Sequence, residues 1–502
     1  MTRIAIALLL VATVAACSSS DDTKDRASST SSTTTEPVET ATTAPAGPKA
    51  DLSNELSGGD GVFIATADPD VIGKAGYVER EYAAEGTATD YKEQGERTKD
   101  GRWTFEPDHH AHYRTRVLVR APKKASDFDG TVIEEWLNVS GGVDAEPEWT
   151  NGYEEIERSG AVWVGVSAQR IGVEGGPVAV SVSGVPGADA AGKGLKKIDP
   201  ARYGSLEQPG DGFSFDIMTQ VARALRGGAG LDGLQPKRVI AAGESQSAFA
   251  LVSYYNGVQP LVHAFDGFFI HSRGGSGIPL VAPGKYADIA GSLGGTATIF
   301  RTDVDTPVMD IQTETDATSV IGSYAARQDD SKTFRLWEVA GTAHADTRLV
   351  GSSSKYIHCG VPINDGPMHI VMKAALHALV TWLDTGKAPR TAPRLDVTAG
   401  TTGPTQNRDA DGIALGGIRT PPVDVPVSAL SGATAPNPST ICLLLGSDKP
   451  FTPQRIAQLY PSRADYRQRF DKAVDATIKA GFALPADRAA LLAFAKPDQV
   501  PA

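Results

Sequence analysis

The run Arg238-Val239-Ile240-Ala241-Ala242 is β-branched and apolar, stops at Gly243, and gives way to a segment of helical character from Ala248 to Tyr255. Between them stands Gly243-Glu244-Ser245-Gln246-Ser247, the nucleophile-elbow pattern with Ser247 in place of its second glycine. A strand that turns sharply into a helix brings the residues two before and two after the central serine close together. Neither position then tolerates bulk, and the serine is forced into a strained conformation with its hydroxyl presented at the end of a sheet. Five-residue matches of this kind arise by chance, so the strand before and the helix after are what give this one meaning.

The rest of the chain supplies a sheet for that strand to join. Tyr77 to Tyr91 and His112 to Arg120 alternate loosely and read as early antiparallel strands at a sheet edge. Thr131 to Leu137 reads as a strand ending in Asn138-Val139-Ser140-Gly141-Gly142, and Ala161 to Val166 is apolar throughout, as parallel strands buried on both faces are. Glu148 to Arg158 can cross between these two. A Gly/Pro-rich insertion, 171–211, precedes a core-facing helix from Phe215 to Leu225. Beyond the elbow, Ala264 to Ile270, Pro307 to Gln312 and Thr333 to Ala340 read as strands, Ala317 to Arg327 as helical, and Gly366 to Leu383 as a strong helix. From about 388 to 502 the chain turns Pro/Thr/Gly-rich, with β-like runs at Val423 to Val427 and Ile441 to Leu445 and two polar helices near the end. Strands alternating with helices specify an α/β domain with a mostly parallel sheet.

In such a sheet, reactive groups gather beyond the carboxyl ends of the strands. Ser245, then Asp316 or Glu314, then His344 each follow such an end, in the order nucleophile, acid, base. Imidazole titrates near neutrality and can take the serine proton, and a carboxylate fixes its tautomer. His344 follows the last core strand in a glycine-led loop; His369 is the second candidate, and His377 reads as helix packing. Asp316 is the preferred acid and Glu314 the alternative, Asp310 lies within its strand, and Asp316 could instead cap a helix beginning at Ala317. Backbone amides of Gln246 and of the Val139, Ser140 and Gly141 turn are the candidate oxyanion donors. Asp108-His109-His110-Ala111-His112 is the one histidine cluster; without a Cys or second His group it reads as a solvated loop, so no metal and no cofactor are expected.

The N-terminus carries a different message. Arg3, the apolar Ile4 to Ala12 and Val14-Ala15-Ala16-Cys17 form a signal peptide (1–16), and small residues directly before a cysteine resemble a bacterial lipobox, implying lipidation of Cys17. The alternative is an ordinary secretory signal with Cys17 incidental. Residues 17–55 are Ser/Thr/Pro-rich and read as a disordered tether, leaving 56–502 as the folded domain. With Cys17 lipidated, Cys359 and Cys442 remain as a pair, and an oxidising compartment makes a disulfide the expectation against two separate buried thiols. The formal net charge of −12 argues against a nucleic-acid partner, which would favour a basic face, and no nucleic-acid-binding motif is present.

Six stretches carry a resemblance: Glu135 to Gly142, Gly243 to Ser247, Gln312 to Asp316, Gly341 to His344, Ile363 to Pro367 and Gly417 to Pro421. Together, from about Gly61 to Phe494, the chain resembles a little-characterised group of large bacterial α/β-hydrolase-domain proteins. The resemblance implies an α/β-hydrolase fold with the C-terminal extension packed on the domain, and serine hydrolase chemistry. It leaves the substrate open. The expectation is an exported, membrane-anchored carboxylesterase acting on small-molecule or lipid-like esters. The alternatives are an acyltransferase using the same residues and an inactive surface binding protein on this scaffold. Oligomeric state is not legible.

Overall fold

The computed structural model describes residues 46–62, 69–181, 184, 187–401, 403–435 and 439–502. Its centre is a nine-stranded sheet: β1 (Asp51–Glu55), β2 (Tyr77–Glu93), β3 (Phe105–Pro122), β4 (Thr131–Trp136), β5 (Val162–Val166), β6 (Arg238–Glu244), β7 (Gly267–His271), β8 (Val308–Thr313) and β9 (Phe334–Val339). The spatial order is β1-β2-β3-β5-β4-β6-β7-β8-β9. Pairing is antiparallel from β1 to β5 and parallel from β5 through to β9. The elbow strand β6 therefore runs in the middle of the parallel half, between β4 and β7.

Burial on both faces explains the apolar runs. Along β6, Val239 and Ala241 enter one core layer and Ile240 and Ala242 the other. The first layer is closed by the helix Ser214–Arg226 and the elbow helix Gln246–Ser253, the second by the helices Pro147–Ser159 and Met368–Thr385. Each fully buried Val or Ile side chain contributes about 1.5–3 kcal/mol through removal from water.

The C-terminal extension is welded to the sheet and not appended to it. The Ile418 amide donates to the Glu338 carbonyl at 2.7 Å and the Ala340 amide to the Ile418 carbonyl at 3.0 Å, a parallel bridge of Ile418 to Val339 at the end of β9. Farther on, Ser428–Ser431 and Ser447–Pro450 pair antiparallel, and the helix Arg463–Lys479 packs with Ile370 in a core of its own. Cys359 and Cys442 are joined by a disulfide, with Cα atoms 5.5 Å apart.

Several local expectations need correction. Asp51–Glu55, assigned to the tether, is the edge strand β1, and Ala50 bonds to Gln220; with Leu52 its one buried residue, it shows no periodic signal. The histidine cluster lies within β3 and not in a loop, because β2 and β3 form one long hairpin that carries it beyond the sheet. There the ligand atoms of Asp90, Asp108 and His109 lie within 4.8 Å of one another, and the His109 amide donates to Asp90 at 2.6 Å. Ala317 to Arg327 holds only the end of a short helix, Glu314–Thr318, and a 3₁₀ turn. Ile441 to Leu445, read as β-like, is a 3₁₀ turn around disulfide-bonded Cys442, and Val423 to Val427 begins as a helical turn before the strand at Ser428. The signal peptide, Cys17 and most of the tether lie outside the described residues.

Candidate active site

The elbow takes the form its spacing demands. Ser245 has φ 55° and ψ −121°, a strained position for a residue with a side chain. Its amide donates to the His271 carbonyl at 3.0 Å, fastening the turn to β7. A side chain at Gly243 would come within 3.2 Å of Ser247, the close approach that excludes bulk. Ser247 is more than a tolerated substitute for glycine: its hydroxyl donates to the Glu244 carbonyl at 2.8 Å and accepts from the Glu244 amide, bracing the turn from within.

Three strand ends converge on Ser245. Its hydroxyl donates to His344 Nε2 at 2.8 Å, and His344 Nδ1 donates to Asp316 Oδ1 at 2.6 Å. Asp316 is held from its other side. Thr313 caps the short helix Glu314–Thr318, and Asp316 reaches back so that Oδ2 accepts the Thr313 amide at 2.6 Å. Asp316 is thus the returning member of a capping box and not a cap ahead of Ala317. Burial alone would raise its pKa, but the adjacent His344 and the Thr313 hydrogen bonds outweigh this and hold it below the usual value. Burial lowers the His344 pKa, and the Asp316 and Glu244 carboxylates more than reverse this, leaving it raised.

Glu314 does different work. Its carboxylate accepts from the Gly341 amide at 3.1 Å and the Ser431 hydroxyl at 3.1 Å, and pairs with Arg408, so it ties the C-terminal extension to the loop that carries His344. Asp310, within β8, pairs with Arg273 just beyond the end of β7. His369 packs against Phe494 with its pKa depressed by burial to about 3, and His377 bonds to Glu155 at 2.9 Å. Neither belongs to the group around Ser245.

The amides assigned to the oxyanion differ in what they already bond. Gln246 opens the elbow helix, where an amide has no intrahelical acceptor. The Val139 amide instead donates to the Gln246 side chain at 3.2 Å and the Ser140 amide to Asn138 Oδ1 at 2.9 Å, while Gly141 is exposed. The turn is folded around two amide side chains, which consume the donors that a bare glycine-rich loop would leave free.

Sequence reasoning missed a buried carboxylate–histidine cluster behind the serine. Glu244 Oε1 lies 3.4 Å from His344 Nε2, and Asn138 Nδ2 donates to the Glu244 carbonyl at 3.0 Å and to Oε2 at 3.3 Å. Burial pushes the Glu244 carboxyl up to about 7, against the pull of His344 and His271. His271 lies 3.6 Å from Glu148; burial lowers its pKa, but Glu148 and then Glu244 carry it up to about 9. Only the adjacency of Glu244 to Ser245 in sequence could have flagged this group.

Parallel strands that deliver serine, acid and histidine to one end of the sheet in that chain order are the architecture of the α/β hydrolases, and the class of this protein is a hydrolase of that fold. More particularly, the chain belongs to the family described as "Alpha/beta hydrolase domain", whose model matches residues 43–493. No curated protein matches the chain. Among solved structures it is similar to the esterase Est22, at 15% identity and TM-score 0.23, covering 42% of this chain and 48% of that one. The chain thus spans about half the length of that esterase. It is also similar to a fungal esterase from Rhizomucor miehei, at 11% identity and TM-score 0.29, covering 64% and 94% of the two chains. Likenesses this distant say nothing of the chemistry at Ser245.

Proposed function

We propose that the protein is a serine carboxylesterase working through Ser245, His344 and Asp316. The observation that carries this reading is the unbroken hydrogen-bonded line from Ser245 Oγ through both ring nitrogens of His344 to Asp316 Oδ1, with steps of 2.8 and 2.6 Å. Ser245 Oγ attacks the ester carbonyl as its proton passes to His344 Nε2. The tetrahedral oxyanion takes the Gln246 amide and the Val139 amide, whose 3.2 Å bond to Gln246 Oε1 is long enough to be exchanged for a stronger, charged acceptor. His344 then protonates the departing alcohol, leaving an acyl-serine. Water attacks that ester, again with His344 as base, and releases the acid. Asp316 stays ionised throughout and stabilises the imidazolium.

An acyltransferase would share every step but the last, with an alcohol in place of water; product formation that depends on an added acceptor distinguishes the two. An inactive binding protein is disfavoured by the intact line of hydrogen bonds. The primary test is labelling by a fluorophosphonate probe together with hydrolysis of a short activated ester. Ser245→Ala should abolish labelling and lower turnover by roughly four to six decades, the residual coming from binding and the oxyanion site. Retention of a tenth of wild-type turnover would remove Ser245 from the mechanism. We place the enzyme outside the cytoplasm, held to a membrane by a lipidated Cys17. That location rests on the N-terminal sequence alone. Among the described residues, no helix is long and apolar enough to cross a membrane.

A further inference from the structure

Ser245 and His344 open onto a cavity of about 100 Å³. Larger hollows elsewhere, such as one of about 320 Å³ beside the β2–β3 hairpin, contain none of the groups just described. Its walls come from four separate excursions of the chain: Val180 from the 171–211 insertion, Leu293 from the loop after β7, Val320 after the short acid-bearing helix, and Leu443 with Leu444 from the C-terminal extension. Phe249 of the elbow helix lines it as well. No Asp, Glu, Lys or Arg lines it among the described residues; His344 is its one titratable group. At the mouth, Leu293 and Val320 are 42% and 48% exposed, placing two of the few large apolar side chains that face solvent beside the serine.

The wall from the extension is fixed in place. Cys442, bonded to Cys359, immediately precedes Leu443 and Leu444, and the Leu444 carbonyl accepts the Ala345 amide at 2.9 Å, next to His344. The disulfide and this bond lock the apolar wall to the loop that carries the base. A water-sized group needs roughly 10–15 Å³ of such space, so a cavity of about 100 Å³ accommodates an unbranched arm of at most roughly seven to ten carbons.

We propose that this cavity binds the uncharged apolar arm of the ester substrate, of medium chain length, and that residues 440–444 set its length limit. This deepens the serine-hydrolase reading and rests on it. A charged arm would lose its hydration and find no counter-ion, whereas each methylene drawn into the cavity leaves water, raising kcat/KM about threefold to fourfold.

The experiment compares kcat/KM of the full-length protein on p-nitrophenyl esters from acetate to dodecanoate, and on a parallel series of alkyl acetates that varies the alcohol. A rise of at least thirtyfold from two to six carbons in either series supports the inference, and the series that shows it tells which arm enters. A flat or falling profile in both overturns it. The monoester of adipic acid, a hexanoate with a terminal carboxylate, should be at least tenfold poorer than hexanoate; equal or better turnover overturns the inference. Leu443→Trp should lower the hexanoate-to-acetate ratio at least tenfold by filling the cavity, and Val320→Asp, at an exposed position, should lower it comparably through charge. An unchanged ratio in both overturns the assignment of the walls. Fluorophosphonate labelling of Ser245 separates the two levels. Labelling with flat profiles rejects the cavity inference alone, while absence of Ser245-dependent labelling and turnover rejects the hydrolase reading and the inference with it.

Discussion

Replacing Asp316 with Asn, and Glu314 with Gln, separates two carboxylates that follow the same strand. In the wild type, Asp316 Oδ2 is committed to the Thr313 amide at 2.6 Å. In Asp316→Asn the new side chain would keep its oxygen on that donor, so its NH₂ would face His344 Nδ1. The imidazole must then carry its proton on Nε2, pointing at Ser245 Oγ, and can no longer accept the serine proton. A wrong tautomer in this position costs roughly three to four decades in turnover, or about 4–5.5 kcal/mol of transition-state stabilisation. Glu314→Gln touches no reacting group. It weakens the pair with Arg408 and the bond from Gly341, at about 1–3 kcal/mol of stability. The assay is kcat/KM on a short activated ester well below the melting temperature, with Tm measured on both variants. Asp316→Asn should lose at least three decades with little change in Tm; Glu314→Gln should stay within tenfold of wild type and melt lower. The reverse pattern would move the acid role to Glu314 and refute the reasoning.

The pH profile should show an acidic limb above the ordinary histidine value of about 6.5, because His344 must be neutral to act as base and its pKa is raised. Glu244→Gln removes one of the carboxylates that raises it, so the limb should move to lower pH; a limb that stays put or moves upward refutes this. Loss of the disulfide in Cys359→Ser removes a constraint on an 83-residue separation, which the chain-entropy model sets at about 4.5 kcal/mol; an unchanged Tm would reject a stabilising role. Cys17→Ala should release the protein from the membrane fraction without changing its turnover, and mass spectrometry showing no acyl group on wild-type Cys17 would overturn the anchor.

How much of this was legible follows from which forces are local. The elbow was legible because a buried parallel strand, a sharp turn and a helix each impose their own residue types within one short stretch, Arg238 to Ala250. His344 was legible because few histidines stand in a glycine-led loop directly after a strand. The choice between Asp316 and Glu314 looked open, yet Thr313-x-x-Asp316 is itself a capping-box pattern, and reading it would have turned Asp316 back along the helix start toward the base. The hydrogen bonding of the Val139–Gly141 turn was not legible. The Ser140 amide is claimed by Asn138 and the Val139 amide by the side chain of Gln246, and the second of these contacts joins the turn after β4 to the elbow helix, far apart in sequence.

The C-terminal extension marks the limit of local reading most clearly. Its β-like run from Ile441 to Leu445 holds a 3₁₀ turn whose Cys442 is tied across 83 positions to Cys359, and no periodicity within so short a run encodes that tie. The same long-range ties give the extension its purpose. Glu314 reaches Arg408 and Ser431, Ala345 holds Leu444, and the Asn364 side chain donates to the Gly341 and Ser431 carbonyls at 3.0 and 3.1 Å. Each tie joins the extension, or the loop before it, to the short segments bearing Asp316 or His344. A chain truncated near residue 388 would strip partners from Glu314, buried beside Gly341, and remove one wall of the cavity at Ser245. Loss of the extension should therefore unfold the loops bearing Asp316 and His344 along with the segment removed, whereas an independently folding appendage would leave Ser245 reactive toward a fluorophosphonate after its removal.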